Sequence, residues 1–178
     1  MPKKNFPLSK VNQLLEHGPV LMLSTSFKEE TNVMALSWHM MIGFTPPILA
    51  CVVKKQRHSF NLLKKSKECV LSIPTVELAK KVVEVGNTSG SKVNKFEEFP
   101  LLEEPASKVK APLLTECYAN LECKVIDMKM VEKYNMFILE VVKVWIRPTK
   151  KAPRTIHHCG NGVFVVDGDV IKLTSKKK

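Results

Sequence analysis

The stretch from Val20 to Trp38 reads VLMLSTSFKEETNVMALSW. Residues 20–25 form an apolar run typical of a buried strand, residues 27–30 are mostly polar and indicate a turn, and residues 32–38 return as a second strand. A connection of a few residues is too short for the crossover that two parallel strands need. The stretch therefore predicts an antiparallel pair of strands.

Strand-like segments with short connections continue along the chain. Thr45-Pro46-Pro47 marks a strand boundary, because proline cannot donate to a sheet ladder. Helices are predicted over 8–17, 59–67 and 75–85, and a long loop over 87–112. Further strands are predicted over 48–53, 69–73, 119–128 and 134–146, with a type I′ hairpin at Asp167-Gly168 within 164–171. These elements indicate a mainly β fold, an antiparallel barrel with a few peripheral helices packed outside it, rather than a Rossmann sheet.

Length and composition narrow the class of protein. The chain has 178 residues, which we assign to one domain, 1–178, with a flexible basic tail at 175–178. Its net charge of +11 predicts attraction to anions. Neither a bilayer-spanning apolar run nor a signal core is present, so we expect no membrane partner and a cytoplasmic location. The five cysteines form no CxxC, which favours reduced thiols over a disulfide framework or structural zinc.

Two segments carry the groups that an anionic ligand needs. In Lys54-Lys55-Gln56-Arg57-His58-Ser59-Phe60, the Arg57 guanidinium, the first amides of a helix and Ser59 as its N-cap suit a phosphate; the alternative is a solvated basic turn. The second segment, Gly86-Asn87-Thr88-Ser89-Gly90-Ser91-Lys92-Val93-Asn94-Lys95-Phe96, sets hydroxyl residues beside two lysines. It matches neither GxxxxGK[ST] nor GxGxxG, which argues against a nucleoside-triphosphate site and a Rossmann site.

Two other segments allow more than one interpretation. Residues 32–39 are either an ordinary half-buried strand or one wall of a ligand site. Pro153-Arg154-Thr155-Ile156-His157-His158-Cys159-Gly160 suggests a metal site, but neighbouring residues of an extended chain point in opposite directions and no second cluster completes a tetrahedral set. We therefore predict no metal. No Ser-His-Asp order or nucleophile elbow supports hydrolytic chemistry either.

Taken in order, these segments resemble the flavin reductase-like family, whose fold is the FMN-binding split barrel. The likeness covers nearly the whole chain, and the C-terminal Pro153-Arg154-Thr155-Ile156-His157-His158 looks like the flavoredoxin branch. The other matching segments are Asn32 to Trp38, Thr45-Pro46-Pro47, Arg57-His58-Ser59-Phe60, Val70 to Pro74, Gly86 to Phe96 and Leu121 to Val125.

The resemblance implies a homodimer that binds one FMN per subunit near the subunit interface. No catalytic side chain is assigned, because the flavin N5 carries the chemistry, and His158 is the candidate on the substrate side. Lys92 is also the candidate cation for the N1/O2 edge of the flavin. The residues implied to line the isoalloxazine are Asn32, Met34, Ala35, Leu36, Ser37 and Trp38. Those implied for the phosphate are Lys55, Arg57, Ser59 and Phe60, with Ser91 and Lys92 closing over the flavin or the phosphate.

The function implied is that of an FMN-dependent oxidoreductase, in which NAD(P)H reduces FMN and electrons pass to free flavin, ferric iron or a protein acceptor. One alternative is a flavoredoxin-like electron carrier without its own NAD(P)H activity. Another is a basic nucleic-acid-binding barrel, which an aromatic share of 7% disfavours, so nucleic acid is not an expected partner. The chain departs from the commoner family wording at Asn94, where Asp is frequent, and at Cys159, which could alter the substrate side of the pocket.

Overall fold

The computed structural model describes residues 3–11, 18–149 and 151–173. The described residues form twelve strands, four α-helices and two short 3₁₀ helices, Leu8–Lys10 and Val76–Leu78. The α-helices are α1 (His58–Ser66), α2 (Ala79–Asn87), α3 (Lys95–Glu98) and α4 (Val131–Tyr134). The strands are β1 (Lys4–Asn5), β2 (Leu21–Phe27), β3 (Glu30–Leu36), β4 (His39–Phe44), β5 (Pro47–Val52), β6 (Glu68–Ile73), β7 (Glu103–Glu104), β8 (Leu113–Leu114), β9 (Ala119–Asp127), β10 (Met136–Ile146), β11 (Ile156–Gly160) and β12 (Val163–Val166).

Eight of the strands form one antiparallel sheet. Its order is β3-β2-β6-β9-β10-β5-β4, with β1 also paired to β10. The two end strands, β3 and β4, are consecutive in the chain and joined only by Ser37 and Trp38. The two edges of the sheet therefore lie next to each other, which requires the sheet to curl round on itself. The prediction of a mainly β, antiparallel fold is confirmed.

Alternate residues of the strands face two different cores. Leu21 and Leu23 of β2 are fully buried in the main cluster, whereas Met22 belongs to a second cluster. This division follows from the period of two along a strand. Val82 and Val85 of α2 belong to the second cluster, so α2 packs on the outer face of β2 and β3, as predicted.

The other peripheral helix of the prediction, α1, packs against the main cluster. Its Phe60 and Leu63 belong to the main cluster together with the inward residues of the strands. The Phe60 ring packs edge-on against Phe137, with the ring centroids 5.5 Å apart. α1 therefore packs on the barrel from outside, as predicted, with Phe60 and Leu63 against the main core and Asn61, Lys64 and Lys65 exposed to solvent.

Helix boundaries differ from the prediction at three places. α1 begins at His58, so Ser59 lies inside its first turn and is not its N-cap. The helix predicted over 75–85 is a 3₁₀ turn followed by α2, which runs through Gly86. Of the helix predicted over 8–17, only a 3₁₀ turn is described, and residues 12–17 lie outside the described residues, as does the predicted tail at 175–178.

The C-terminal hairpin uses a different turn from the predicted one. β11 pairs with β12 through Asn161-Gly162, whose φ angles are 49° and 75°, as a type I′ turn requires. Residues 167–173 form no strand, so the hairpin predicted at Asp167-Gly168 is wrong. The predicted loop 87–112 contains the short helix α3, and its β7 pairs with β8.

Candidate functional site

A cleft lies between β3, the start of α1, the end of α2 and the hairpin β11–β12. It has three adjoining compartments of about 200, 460 and 200 Å³, and both Ala35 and Arg57 line all three. The first compartment is also lined by Asn32, Met34, Gln56, His58, Ser59, Gly86, Asn87, Thr88, Ser89, Gly90 and Lys95. The second is also lined by Val20, Leu36, Ser37, Val82, Val83, Gly86, Asn87, His158, Gly162 and Phe164. The third is also lined by Met34, Leu36, Ser37, Trp38, Val52, Lys54 and His158.

Ser59 ties the first compartment to the barrel. Its buried hydroxyl accepts hydrogen bonds from Asn32 Nδ2 at 2.8 Å and from Thr25 Oγ1 at 3.3 Å. The three side chains come from α1, β3 and β2, so the network joins the helix to two strands. A hydroxyl has two lone pairs and one proton. What Ser59 Oγ can offer a ligand is therefore its proton.

Arg57 immediately precedes α1, and its side chain makes no capping hydrogen bond to the helix. The first amides of a helix lack partners within the helix and carry partial positive charge. The Arg57 guanidinium adds a full charge to the same end of the first compartment. His58, the first residue of α1, is paired with Glu30 at 2.7 Å.

Lys95 lies at the start of α3 and is 4% exposed. Its Nζ donates to the carbonyl of Val33 in β3 at 2.9 Å and to that of Val85 in α2 at 2.7 Å. Burial, and secondly the charge of Arg57, lower the pKa of Lys95 to about 8. The side chain thus joins the two elements that bound the first compartment.

The loop after α2 approaches the same compartment at Gly90. A Cβ added there would lie 2.0 Å from Asn32 Oδ1, far inside contact distance. The Asn32 side chain is held by its bond to Ser59. The loop reaches this position only because residue 90 has no side chain.

The other two compartments carry aromatic rings and fewer polar groups. His158 of β11 and Phe164 of β12 stack at a tilt, with centroids 5.1 Å apart, along the second compartment. Trp38 is 56% exposed beside the third compartment, and Lys54 Nζ lies 4.9 Å from the centroid of its ring. This combination suits a planar molecule that also carries negative charge.

Asp167 holds the hairpin β11–β12 in place. Its Oδ1 accepts a bond from His157 Nε2 at 2.7 Å, and its Oδ2 accepts from both the hydroxyl and the amide of Thr155. Partial burial opposes ionisation, but the hydrogen bonds from Thr155 and His157 outweigh it and hold the pKa of Asp167 below its usual value. His157 thus bonds to Asp167, while the next residue, His158, lines the cleft.

We expect Asp167→Ala to loosen this hairpin, because Thr155 and His157 lose their shared acceptor. Protection factors for amide exchange over 156–166 should fall, while those of β9 stay unchanged. The lowered pKa of Asp167 also predicts a pH dependence. The stability that the Asp167 carboxylate gives the hairpin is present above the ordinary pKa of 3.8 and is lost as pH falls through the pKa of the folded state. Wild-type protection of the hairpin should therefore decrease below about pH 4. Equal protection in variant and wild type would contradict this role.

Most residues predicted to contact FMN line the cleft. The segment 32–38 forms one wall, Arg57 stands at the junction of the compartments, and His158 lies on the opposite side. The predicted residues that line the cleft are Asn32, Met34, Ala35, Leu36, Ser37, Trp38, Arg57, Ser59 and His158.

Four of the predicted residues lie elsewhere in this chain. Lys55 Nζ pairs with Glu132 Oε2 at 2.9 Å, and Phe60 is a core residue. Ser91 and Lys92 line a separate depression on the far side of Gly90, beside Glu29 and Glu30 of the β2–β3 turn region. The cation predicted for the flavin edge, Lys92, is therefore not at the cleft.

The main residue that the sequence analysis missed is Lys95. The hydroxyl groups and lysines of segment 86–96 predict contact with an anionic ligand, but the lysine that lines the cleft is Lys95 and not Lys92. Asn94 caps α3 by accepting from the Phe96 amide at 3.1 Å, so the Asn at this position performs a role also open to Asp. Cys159 is exposed and does not line the cleft.

The charge of the lining selects the class of ligand. None of the described residues that line the three compartments carries a carboxylate, whereas Arg57, Lys95 and Lys54 are basic. The described residues contain no group of three or more His, Cys, Asp or Glu placed to hold a metal ion. None of the helices described is both long and apolar enough to cross a membrane. The cleft therefore suits an anionic ligand with an aromatic part.

Solved structures share this fold. The FMN-binding domain of a flavin reductases-like enzyme from Shewanella baltica matches with a TM-score of 0.90 at 26% identity, covering 98% of this chain and 100% of that one. Flavoredoxin from Methanosarcina acetivorans matches with a TM-score of 0.77 at 23% identity, covering 89% of each chain. At that identity the second likeness shows the fold alone. The split-barrel architecture is confirmed.

The relatives in sequence agree with the structural match. An uncharacterized protein of Archaeoglobus fulgidus is 36% identical over 76% of this chain and 78% of its own length. The uncharacterized protein YddH of Escherichia coli is 31% identical over 90% of this chain and 93% of its own length. The family model described as flavin reductase like domain matches residues 15–163. The chain therefore belongs to the flavin reductase-like family.

Proposed function

We propose that the protein is an FMN-dependent oxidoreductase that takes electrons from NADH or NADPH and passes them to free flavin, ferric iron or a protein acceptor. The observation that carries the proposal is the division of the cleft. The first compartment is lined mainly by polar residues, whereas apolar and aromatic residues line more of the other two. Arg57 and Ala35 line all three. FMN has the same division, with a charged phosphate at one end and a planar ring at the other.

The first compartment fits a phosphate. Arg57 can donate charge-assisted bonds, the start of α1 presents backbone amides, and Thr88 and Ser89 add hydroxyl groups. Gly90 lies so close to Asn32 that a Cβ at residue 90 would clash with the Asn32 side chain, so a glycine at this position keeps the compartment open. A donor-rich pocket without a carboxylate in its described lining is the chemistry that a dianion requires.

The second compartment fits the ring, and the third lies beside it. Residues 34–38 line one side of these two compartments, and the rings of His158 and Phe164 also line the second. Bound FMN supplies hydride acceptance at N5 and electron transfer to the acceptor. The chain's own work is to bind the phosphate through Arg57, to orient the ring along 34–38, and to exclude water through His158 and Phe164.

We assign the nicotinamide donor to the third compartment. Trp38 gives an exposed ring surface, and Lys54 and Arg57 give positive charge for a dinucleotide phosphate. Proton transfer by a side chain is not required for hydride delivery, so the absence of a carboxylate in the described lining does not weaken the assignment.

The test is an anaerobic titration of the purified protein. We expect a yellow protein with flavin absorption bands that bleach on addition of NADH or NADPH. Bleaching by dithionite but not by either nicotinamide would instead support a flavoredoxin-like electron carrier, which the C-terminal segment 153–158 favours. A colourless protein that binds oligonucleotides in a salt-sensitive manner would overturn both and support the nucleic-acid-binding alternative.

We also propose that two copies of the chain form a homodimer through β4. This strand is one end of the sheet order and carries an outward apolar stripe: Trp38, Met40, Ile42 and Phe44 are 56%, 58%, 49% and 61% exposed. The four exposed side chains follow one another along β4 and the residue before it, past a β-bulge between Met41 and Gly43, and they give this edge of the sheet its apolar character. Trp38 also lines the cleft, and a second copy on this stripe would therefore lie beside the site.

Ile42→Glu should convert the dimer to a monomer, because it places a charge at the centre of the apolar stripe. Sedimentation velocity at micromolar concentration should give twice the chain mass of 20.1 kDa for wild type and the single mass for the variant. Ile126→Glu is the matched control, since Ile126 is 48% exposed but lies on β9. A wild-type monomer that still holds FMN would overturn the dimer proposal.

We propose a reducing compartment, the cytoplasm, as the place where the protein acts. All five cysteines are free thiols, and four of them are buried in the barrel or beneath its outer elements. The assignment of residues 1–178 to a single domain remains a prediction. Thiol titration of the protein prepared without reductant tests the first point: fewer than five free thiols after unfolding would contradict it.

A further inference from the structure

Lys95 is a buried cation whose hydrogen-bond partners in the protein are neutral. Its Nζ bonds to the carbonyls of Val33 and Val85, and the described residues include no carboxylate in an ion pair with it. An ammonium group has three donors, so two carbonyls leave one N–H for another acceptor. The same side chain lines the first compartment of the cleft.

The charged groups around Lys95 do not neutralise it. Arg57 shares the compartment and has the same sign. Glu98, on the same helix, is exposed to solvent. The other charged groups on the elements packed against Lys95 have partners of their own: Glu30 with His58, Glu84 with Lys80, Lys81 with Glu116, and Glu97 with Asn94.

Such an environment disfavours the charged form of a lysine. Burial removes water from the ammonium group, and a second cation nearby adds repulsion. The carbonyl of Val85, in the last turn of α2, offsets part of this cost through the helix dipole. The balance leaves the pKa of Lys95 at about 8, so near that pH a small change in local charge decides its protonation.

We propose that Lys95 is a positioning residue whose ammonium charge is neutralised by the phosphate of FMN, so that FMN binding in mildly alkaline solution places a proton on Lys95. The inference rests on the proposed function, because it takes the phosphate to occupy the first compartment. The proton comes from solvent and converts the amine, whose two N–H groups suffice for the Val33 and Val85 carbonyls, into an ammonium group with stronger bonds to them and a third N–H for the phosphate. The cofactor thereby stabilises the wall of its own site.

The sign of the pH dependence follows from this linkage. A phosphate dianion favours the ammonium form, so bound FMN raises the pKa of Lys95, and FMN affinity falls as pH rises above about 8. Phosphate monoesters are dianionic above about pH 6, so the ligand keeps its charge over this range. Riboflavin has the same ring without the phosphate and should bind with no such dependence.

The first measurement is the ratio of FMN affinity to riboflavin affinity between about pH 7 and pH 9.5, since arginine, histidine and carboxylates ordinarily titrate outside this range. The ratio should be flat up to about pH 7.5 and then fall, by at most about tenfold per pH unit. Ionisation of the isoalloxazine ring occurs in both flavins, so it changes the two affinities equally and cancels in their ratio. Lys3, whose pKa is also about 8, bonds to the Leu114 carbonyl away from the cleft, and its titration cancels in the same way.

The second measurement counts protons directly. Calorimetric titrations at about pH 8.5 in buffers of different ionisation enthalpy should show fractional proton uptake with FMN and none with riboflavin. Lys95→Arg keeps a cation throughout and Lys95→Met has none, so both should lose the uptake. Lys92→Met is the matched control, because Lys92 is exposed and does not line the cleft, and it should behave as wild type.

The outcomes separate this inference from the proposed function. If neither flavin binds, both are overturned. If FMN binds but the affinity ratio is flat and no proton is taken up, the function stands and the role of Lys95 is overturned. Uptake that persists in Lys95→Arg would also overturn it. Should the substituted proteins fail to fold, the wild-type ratio and proton count alone decide.

Discussion

Arg57→Ala should weaken FMN binding by about tenfold to a hundredfold and leave riboflavin binding nearly unchanged. Arg57 lines every compartment of the cleft and stands beside the amides that begin α1. A charge-assisted, two-pronged bond to phosphate contributes about 1.5–3 kcal/mol, and about 1.4 kcal/mol corresponds to tenfold. Because riboflavin lacks the phosphate, its binding reports whether the variant is folded. Fluorescence titration of both flavins gives the two affinities.

Lys55→Ala is the matched control for this experiment. Lys55 is two residues from Arg57 and has the same charge, but it pairs with Glu132 and does not line the cleft. Its replacement should leave both affinities unchanged. Ser59→Ala should cost less than Arg57→Ala in FMN affinity, since Ser59 can give a phosphate only one hydroxyl proton. Equal FMN affinity for wild type and Arg57→Ala would move the phosphate site away from α1.

Gly90→Ala should reduce FMN affinity by about tenfold or more, although it adds a single methyl group. The new Cβ would lie 2.0 Å from Asn32 Oδ1, so either the Asn32 side chain leaves Ser59 or the loop moves away from the cleft. Both movements change the shape of the first compartment. Equilibrium titration with FMN measures the loss, and thermal unfolding of the ligand-free protein tests whether the barrel itself is intact.

Two further variants make the steric origin of this effect testable. Gly168→Ala is the control, because a Cβ there meets no atom within 4 Å. Combining Gly90→Ala with Asn32→Ala removes the group that the new methyl meets, so the double variant should bind FMN better than the sum of the two single losses predicts. Strict additivity would show that contact with Asn32 is not the cause.

The strands of the barrel could be predicted because their residues are buried on both faces or alternate clearly. β4 could not, since its apolar residues face outward and its inward residues include His39 and Gly43, which reverses the usual pattern. The predicted hairpin turn is Asp167-Gly168, although Asn161-Gly162 carries the same turn signal and forms the turn. The carboxylate of Asp167 instead bonds to Thr155 and His157, a contact that no local pattern reveals.

The sequence could predict which contiguous segments line the cleft. It could not predict the place of a single side chain that depends on contacts with distant parts of the chain. The resemblance implies the wall at 32–38, the basic segment 54–60 predicts Arg57, and both line the cleft. Two lysines take positions set by tertiary contacts: Lys55 pairs with Glu132, which is distant in sequence, and Lys95 bonds to two backbone carbonyls in the interior. A lysine in a polar loop carries no sequence signal that it will be buried.

The hairpin β11–β12 forms a sheet of its own, separate from the eight strands of the barrel. It is held to the rest of the chain by the packing of Ile156 and Phe164 on the second cluster and by the bond from the Val20 amide to the Ile156 carbonyl at 2.8 Å, not by a ladder of the barrel. Local opening of 156–166 would uncover the second compartment while Arg57, Ser59 and Asn32 keep the first intact. Under the proposed function, FMN would keep its phosphate bound while its ring face is exposed to a large acceptor, so the exchange of redox partners would not require release of FMN.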